Sequence, residues 1–268
     1  MEELFDPGKP YFVAWLQVHN VDTGPSNRSL LFNFANMRPK KSTTGTPLYY
    51  AALCGFYDLA EQLITKHPQQ VNVTGGCYVS PLGAALSGGY LKIAQLLYER
   101  GADVDVKGKD DRTPLYGASW FGHLEIVQWL LSRSANPNIW VFRSHTPLHE
   151  AVCSGHVEVC RLLLQYKADG NAQGYSGDTP LKSALNYGYV NVARLLLESG
   201  ADVNARDDDH NTPLLAVVKR GHLEFARLLV EHGANIDAED NMGRTAFQVA
   251  SEDGSHDIAE FLSDHGSK

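Results

Sequence analysis

The sequence predicts an all-α repeat solenoid built from seven copies of a helix–turn–helix unit that ends in a loop rich in turn-forming residues. A Thr/Ser-Pro-Leu triplet recurs at steps of 33 or 34 residues, and a glycine follows nine residues after each first position. The triplets begin at Thr46, Ser80, Thr113, Thr146, Thr179 and Thr212, and Thr245-Ala246-Phe247 takes their place in the last copy. A single pair of short helices cannot bury its own apolar faces, so the copies must stack on one another.

The fourth copy shows why each unit should fold as a helix pair. Thr146 is suited to cap a helix, and Pro147 fits the first turn because the N–H that proline lacks would be unpaired there. Residues 148–152 carry apolar side chains at the spacing of one helix face, and Gly155 ends this helix in a left-handed conformation. Residues 157–164 are apolar nearly all round, which indicates a second helix with neighbours on both sides.

Residues 146–151, Thr-Pro-Leu-His-Glu-Ala, match the T-P-L-H-x-A signature, and the unit resembles the ankyrin repeat. Residues 200–205 and 233–238 are similar to the segment that enters the hairpin in that family. The resemblance covers about residues 41–268. It implies two antiparallel helices per repeat, a projecting β-hairpin-like loop, and a concave face formed by hairpin tips and first helices.

Several positions depart from the pattern. Ser134 and Lys167 stand where other copies have a glycine, and each should cost roughly 1 kcal/mol if the backbone there is left-handed. The last copy ends in a polar helix, which suits a terminal repeat whose outer face meets water. We therefore predict an N-terminal capping or linker segment with a short helix over residues 1–40, and an array of seven repeats over residues 41–268 that ends in a polar capping repeat.

The N-terminal segment allows two interpretations. Residues 10–18 place aromatic and apolar side chains at helical spacing after a proline, so we expect a helical cap on the first repeat. Residues 4–16 also resemble the junction that precedes ankyrin arrays in fungal NACHT-type signalling ATPases. The alternative function is therefore a C-terminal sensor or oligomerisation arm of such an ATPase. Its nucleotide-binding domain would lie outside this chain, since the sequence contains no GxxxxGK[ST] motif.

Composition excludes several classes of protein. The 268 residues include 31 acidic and 23 basic side chains, and the net charge of −8 argues against nucleic-acid binding, which needs a positive surface. No apolar run reaches the roughly 18 residues of a membrane span. Residues 1–6 lack the basic and apolar regions of a secretion signal, so we expect reduced cysteines and a cytoplasmic or nuclear location.

The sequence offers no constellation for catalysis, so we predict a non-enzymatic protein without metal or cofactor. His149-Glu150 begins like a zinc-binding HExxH motif, but Cys153 stands where the second histidine is required. His149 is the signature histidine of its repeat, and His156 belongs to a set that follows the helix-ending glycines. Recurrence in register indicates that these histidines serve the scaffold, by hydrogen bonds to loop backbone.

Positions at which the residue differs between copies are not required for the repeat fold, so their side chains are available to a partner. In the ankyrin family these lie on the hairpin and at the end of the first helix, and the matching residues here include aromatic and arginine side chains typical of interface hot spots. The predicted partner-binding residues are Arg112, Trp120, Phe121, Trp140, Phe142, Arg143, His145, Tyr175, Tyr187, Asp208, Asp209, Lys219 and Arg220. The alternative is that adjacent aromatic side chains only pack on each other between hairpins.

The charge is distributed unevenly along the chain. Residues 200–268 hold 14 acidic and 6 basic residues, which accounts for the whole surplus. We expect a monomeric scaffold that binds another protein through the concave groove, with a basic segment of the partner toward the C-terminal repeats. The acidic end can also serve only to keep the array soluble.

Overall fold

The computed structural model describes residues 45–75, 78, 80–107, 111–141 and 145–266, and the side chain of Tyr175 is not described. The chain divides into two compact units, Met1–Pro114 and Leu115–Lys268. Seven helix pairs lie within the described residues, in agreement with the predicted all-α repeat solenoid. The predicted N-terminal cap over residues 1–40 lies outside the described residues.

The helices of each pair are short and similar in length. The first helices of the pairs are α1 Pro47–Leu53, α3 Pro81–Ser87, α5 Pro114–Phe121, α7 Pro147–Cys153, α9 Pro180–Tyr187, α11 Pro213–Val218 and α13 Ala246–Glu252. The second helices are α2 Tyr57–Lys66, α4 Leu91–Glu99, α6 Leu124–Ser132, α8 Val157–Gln165, α10 Val190–Glu198, α12 Leu223–Glu231 and α14 His256–Asp264. Within each unit, helices pack on their pair partners and on the matching helices of neighbouring repeats, as α7 does on α8 and on α9.

The first helices begin as the sequence predicts. The Thr46 side chain accepts a hydrogen bond from the Tyr49 N–H at 3.2 Å, and Ser80 caps helix α3 in the same way. Proline follows each of these caps and occupies the first turn. Each helix start therefore has a partner for one of its otherwise unpaired N–H groups.

A glycine after the first helix meets two separate requirements. Gly122 has φ of +72°, which a side chain would strain. A Cβ atom at Gly122 would also lie 2.6 Å from the His156 ring, which packs against this turn from the next repeat. His156 Nε2 hydrogen-bonds the Trp120 carbonyl oxygen at 3.0 Å, which is the loop-backbone role predicted for this set of histidines.

Ser134 and Lys167 adopt the left-handed conformation that the sequence comparison anticipates. Their φ angles are +65° and +68°, whereas Gly200 has +89° at the matching position. Neighbouring repeats are also joined at this point, because Asn138 Nδ2 donates to the Lys167 carbonyl oxygen at 3.0 Å. Asn138 Oδ1 accepts from the Asp169 N–H at 2.8 Å, so one amide side chain holds two loops in register.

Short bridges close two of the hairpin-like loops. Val141 and His145 form an antiparallel bridge before helix α7, and Glu239 and Thr245 form another before α13. Within the ranges that the structure describes, no helix is both long and apolar enough to cross a membrane.

Candidate functional site

Two exposed aromatic rings end helix α5. Trp120 and Phe121 retain 44% and 51% of their accessible surface. Their ring planes lie 9° apart with centroids 5.8 Å from each other, so the rings stack at the surface. Phe121 also stacks on His123 with a centroid distance of 5.8 Å. The three rings form a flat, largely apolar surface that a partner can cover.

Tyr187 occupies the end of helix α9, in the position that Phe121 holds in its own repeat. It is 59% exposed, and its ring stacks on Tyr189 at 6.1 Å. In the repeat between them, the matching positions hold the small residues Cys153 and Ser154. The two aromatic pairs are therefore separated by a repeat with short side chains at its helix end.

Trp140 and His145 both lie beside the His149 ring near the start of helix α7. Trp140 is 38% exposed, and its ring centroid lies 6.1 Å from that of His149. The His145 and His149 rings stack at 5.4 Å with planes 8° apart. The bridge between Val141 and His145 holds the two ends of this loop together, so it fixes the distance between the two predicted site residues.

The carboxylate of Glu150 is bound within the same group of side chains. Only 8% of Glu150 is exposed, and its Oε1 accepts hydrogen bonds from the Tyr116 hydroxyl at 2.7 Å and from His145 Nδ1 at 2.8 Å. Burial by itself would raise the pKa of Glu150, but the hydrogen bonds from His145 and Tyr116 outweigh burial and hold the pKa below its ordinary range. The hydrogen bond to Glu150 in turn raises the pKa of His145. The site thus contains an ionised, nearly buried carboxylate.

His149 is held by the scaffold. The Thr146 N–H donates to His149 Nδ1 at 3.2 Å, so Nε2 carries the ring proton and donates to the Asp178 carbonyl oxygen at 3.3 Å. Burial lowers the pKa of His149, and the ring is neutral near pH 7. The signature histidine therefore hydrogen-bonds loop backbone, as the sequence predicts, and the structure shows that this loop belongs to the next repeat.

Cys153 lies one turn beyond Glu150 on helix α7. Its thiol is half-buried and interacts electrostatically with the side chains of Ser183 and Tyr187. Burial raises the pKa of Cys153, so the thiol is protonated near neutral pH and is a weak nucleophile and a weak metal ligand. In the described part of the chain, no three or more His, Cys, Asp or Glu side chains are arranged to hold a metal ion.

The two basic site residues of the sixth repeat are tied to neighbouring side chains. Lys219 Nζ lies 3.3 Å from Asp240 Oδ2 and donates to Asn211 Oδ1 at 2.6 Å. Arg220 donates from Nη1 to the amide oxygen of Asn186. A partner that binds either cation has to share it with these groups.

Asp208 and Asp209 are exposed on the loop before helix α11. Asp207 is not exposed in the same way, because Lys182 Nζ lies 2.9 Å from its Oδ2. Burial acts to raise the pKa of Asp207, but the hydrogen bonds from Lys182 and the loop backbone lower it below its ordinary value. Two of the three consecutive aspartates are therefore available to a partner.

The remaining predicted residues cannot be placed with this group. Arg112 is exposed but belongs to the unit Met1–Pro114, whereas the others belong to Leu115–Lys268. Phe142 and Arg143 lie outside the described residues, and so does the side chain of Tyr175.

Comparison with models of known families identifies the family of this chain. A family model described as Ankyrin repeats (3 copies) matches residues 48–141, 141–207 and 205–268, which together span most of the sequence. The chain belongs to the ankyrin repeat family. A search of curated proteins finds no match. Ankyrin repeats generally mediate protein–protein interactions, and the family is typically non-enzymatic.

Sequence reasoning missed Glu150 and Tyr116 as members of the site. Among the ankyrin repeats of this chain, the position four residues after the signature Thr holds Gly117, Ser183 and Ala216 around Glu150. A charged residue at a position that neighbouring repeats fill with small side chains is a signal visible in the sequence. Its hydrogen-bond partners are not visible there, because Tyr116 lies 34 residues away.

Proposed function

We propose that this ankyrin repeat protein is a scaffold without enzymatic activity that binds another protein through an aromatic surface. The aromatic surface consists of Trp120, Phe121, Trp140 and Tyr187, all in the unit Leu115–Lys268. The exposed Trp120–Phe121 stack carries the proposal, because two adjacent large rings left in water reduce solubility unless a partner covers them. Tryptophan and tyrosine also supply much of the binding energy at protein interfaces.

A triple variant tests the proposal. Replacing Trp120, Phe121 and Trp140 by alanine should leave the thermal midpoint nearly unchanged, because all three side chains are substantially exposed. Loss of one hot spot of about 2 kcal/mol already weakens binding roughly 30-fold. We therefore expect the variant to lose capture of the partner protein in a pull-down, and to lose binding to that partner after purification.

The matched control carries three changes at exposed side chains, two on second helices and one, Tyr166, directly after a second helix. Tyr57, Leu124 and Tyr166 are exposed to a similar degree and lie outside the aromatic surface. Their replacement by alanine should leave partner binding intact. Equal binding by both triple variants would refute the proposal. Unfolding of the Trp120, Phe121 and Trp140 variant would instead show that these rings stabilise the fold.

The partner's charge is a further part of the proposal. Asp208, Asp209 and Glu239 are exposed in the C-terminal repeats, and this supports a basic partner segment near them. Such a segment would be attracted before contact, so the association rate should fall as salt is raised. A rate that does not depend on salt would contradict this orientation.

A further inference from the structure

Glu150 differs from the other buried carboxylates of the same unit in what compensates its charge. Asp240 accepts hydrogen bonds from the backbone N–H groups of Met242 and Arg244. It also pairs with the Arg244 and Lys219 side chains, at 2.9 and 3.3 Å. Backbone donors and two full cations therefore compensate this carboxylate within the chain.

Asp207 follows the same pattern. Its Oδ1 accepts from the N–H groups of Asp209 and Asn211, at 3.0 and 2.8 Å. Its Oδ2 pairs with Lys182 at 2.9 Å. Both aspartates thus close a hairpin loop and are compensated by residues of this chain.

Glu150 has neither kind of compensation among the described residues. Its partners there are the neutral Tyr116 hydroxyl and His145, and no lysine or arginine pairs with it. Both hydrogen bonds reach Oε1, so the second carboxylate oxygen has no donor within the described chain. A carboxylate has about four acceptor sites, so Glu150 keeps the capacity to bind a further donor.

Exposed rings lie beside neighbours of this carboxylate on three elements. Trp120 lies one turn beyond Tyr116 on helix α5, on the same helix face. Trp140 packs beside His149, which neighbours Glu150 in sequence. Tyr187 of helix α9 interacts electrostatically with Cys153, one turn beyond Glu150, and with Glu150 itself. Three exposed aromatic side chains are therefore connected to this under-compensated carboxylate through its neighbours Tyr116, His149 and Cys153.

We propose that Glu150 and the rings of Trp120, Trp140 and Tyr187 form a receptor for the guanidinium group of an arginine side chain in the partner protein. The inference rests on the proposed function, and it names the chemistry that the aromatic surface recognises. The guanidinium donates to the second oxygen of Glu150 and stacks on an indole ring. The aliphatic stem of the arginine covers the remaining ring surface.

The geometry favours arginine over lysine. A guanidinium is planar, so it can stack on a ring while its edge donates to a carboxylate. It is also hydrated more weakly than an ammonium group, so it loses less on entering a nearly buried site. A lysine ammonium can pair with Glu150 but cannot stack in this way.

The test uses the full chain and small probes. The indole N–H signals of Trp120 and Trp140 are followed by NMR while N-acetyl-arginine N-methylamide is added. The matching citrulline amide, a neutral molecule of nearly the same shape, and the lysine amide are added in parallel. We expect saturable shifts with arginine, none with citrulline, and weaker binding of lysine.

Two variants locate the charge that binds the probe. Glu150→Gln keeps the size of the side chain and should weaken arginine binding roughly tenfold or more, because the guanidinium then loses the carboxylate that it hydrogen-bonds, although the charge of Asp178 remains nearby. Glu224→Gln removes an equal charge from an exposed position on helix α12 and should leave arginine binding unchanged. The wild-type comparison of arginine with citrulline holds even if Glu150→Gln fails to fold.

Three results would overturn the proposal. These are equal shifts with arginine and citrulline, equal affinity for arginine and lysine, and arginine binding that survives Glu150→Gln. Failure here can be separated from failure of the proposed function. The partner could bind Glu150→Gln as tightly as wild type but fail to bind the Trp120, Phe121 and Trp140 variant. That result would support partner binding by the aromatic surface and refute the arginine receptor.

Discussion

The hydrogen bond from Tyr116 to Glu150 can be removed without disturbing the packing around it. Tyr116 is 5% exposed, and its hydroxyl lies 2.7 Å from Glu150 Oε1. Phenylalanine fills the same space except for one oxygen atom, so Tyr116→Phe leaves no large cavity. The change therefore removes the buried, charge-assisted hydrogen bond to Glu150.

The expected loss follows from the charge of the acceptor. Hydrogen bonds to charged groups contribute about 1.5–3 kcal/mol, against about 1 kcal/mol for neutral pairs. Glu150 keeps its bond to His145 in the variant, so it remains ionised but less well compensated. We expect the free energy of unfolding to fall by about 1.5–3 kcal/mol, and the thermal midpoint to fall by about 3–12 °C for a protein of this size.

Urea unfolding followed by circular dichroism measures this loss, with Tyr166→Phe as the control. Tyr166 is exposed, so its change should alter the free energy of unfolding by no more than about 0.5 kcal/mol. Each variant differs from wild type by the loss of one hydroxyl group. Equal stability of Tyr116→Phe and Tyr166→Phe would refute the view that the buried hydroxyl stabilises the fold through Glu150.

The pH dependence supplies an independent check of the same bond. Because the pKa of Glu150 is lowered in the folded chain, its contribution to stability is present above the ordinary glutamate value of about 4.3 and is lost as the pH falls below it. The difference in stability between wild type and Tyr116→Phe should therefore narrow in acid. A difference that stays constant down to pH of about 3 would show that the hydroxyl acts on something other than the ionised carboxylate.

Two further predictions concern backbone strain and histidine titration. Ser134→Gly and Lys167→Gly should each raise the free energy of unfolding in urea by about 0.5–1 kcal/mol, because glycine removes the strain of the left-handed backbone and this gain exceeds the cost of added entropy in the unfolded chain. Ser199 has φ of −89°, so Ser199→Gly should lower the free energy of unfolding. Since the pKa of His145 is raised, its pairing with Glu150 stabilises the fold below pH of about 6.5, and this contribution is lost as the pH rises through the raised value. The thermal midpoint of wild type should thus fall more than that of His145→Gln between about pH 6 and about pH 9.

The parts of the fold that depend on local chemistry could be predicted from the sequence. Helix starts, the glycine turns and the left-handed backbone at Ser134 and Lys167 depend on residues within one repeat, and repetition reveals them. The role of Asn138 could not be predicted in this way. Its segment is recognisable only as a turn, whereas its hydrogen bonds reach Lys167 and Asp169 in the next repeat. Such contacts depend on how far one repeat is shifted against the next.

The candidate site also combines features that are predictable from one repeat with features that depend on how the repeats stack. The exposure of Trp120, Phe121 and Tyr187 follows from their register at the ends of first helices, which the sequence provides. The pairing of Glu150 with Tyr116 depends on the stacking of α7 beside α5, and no spacing rule within one repeat contains it. Register therefore predicts which side chains are exposed, but not which side chains support them.

A carboxylate at a scaffold position must be compensated, and the manner of compensation separates structural charges from available ones. Asp207 and Asp240 are paired with lysine or arginine and with backbone N–H groups, so their charge is used to hold loops. Glu150 is held by a phenol and by a histidine whose own charge is lost as the pH rises. Such donors keep the carboxylate ionised without fully neutralising it. The same two contacts that stabilise Glu150 in the fold therefore leave its negative charge available at the aromatic surface.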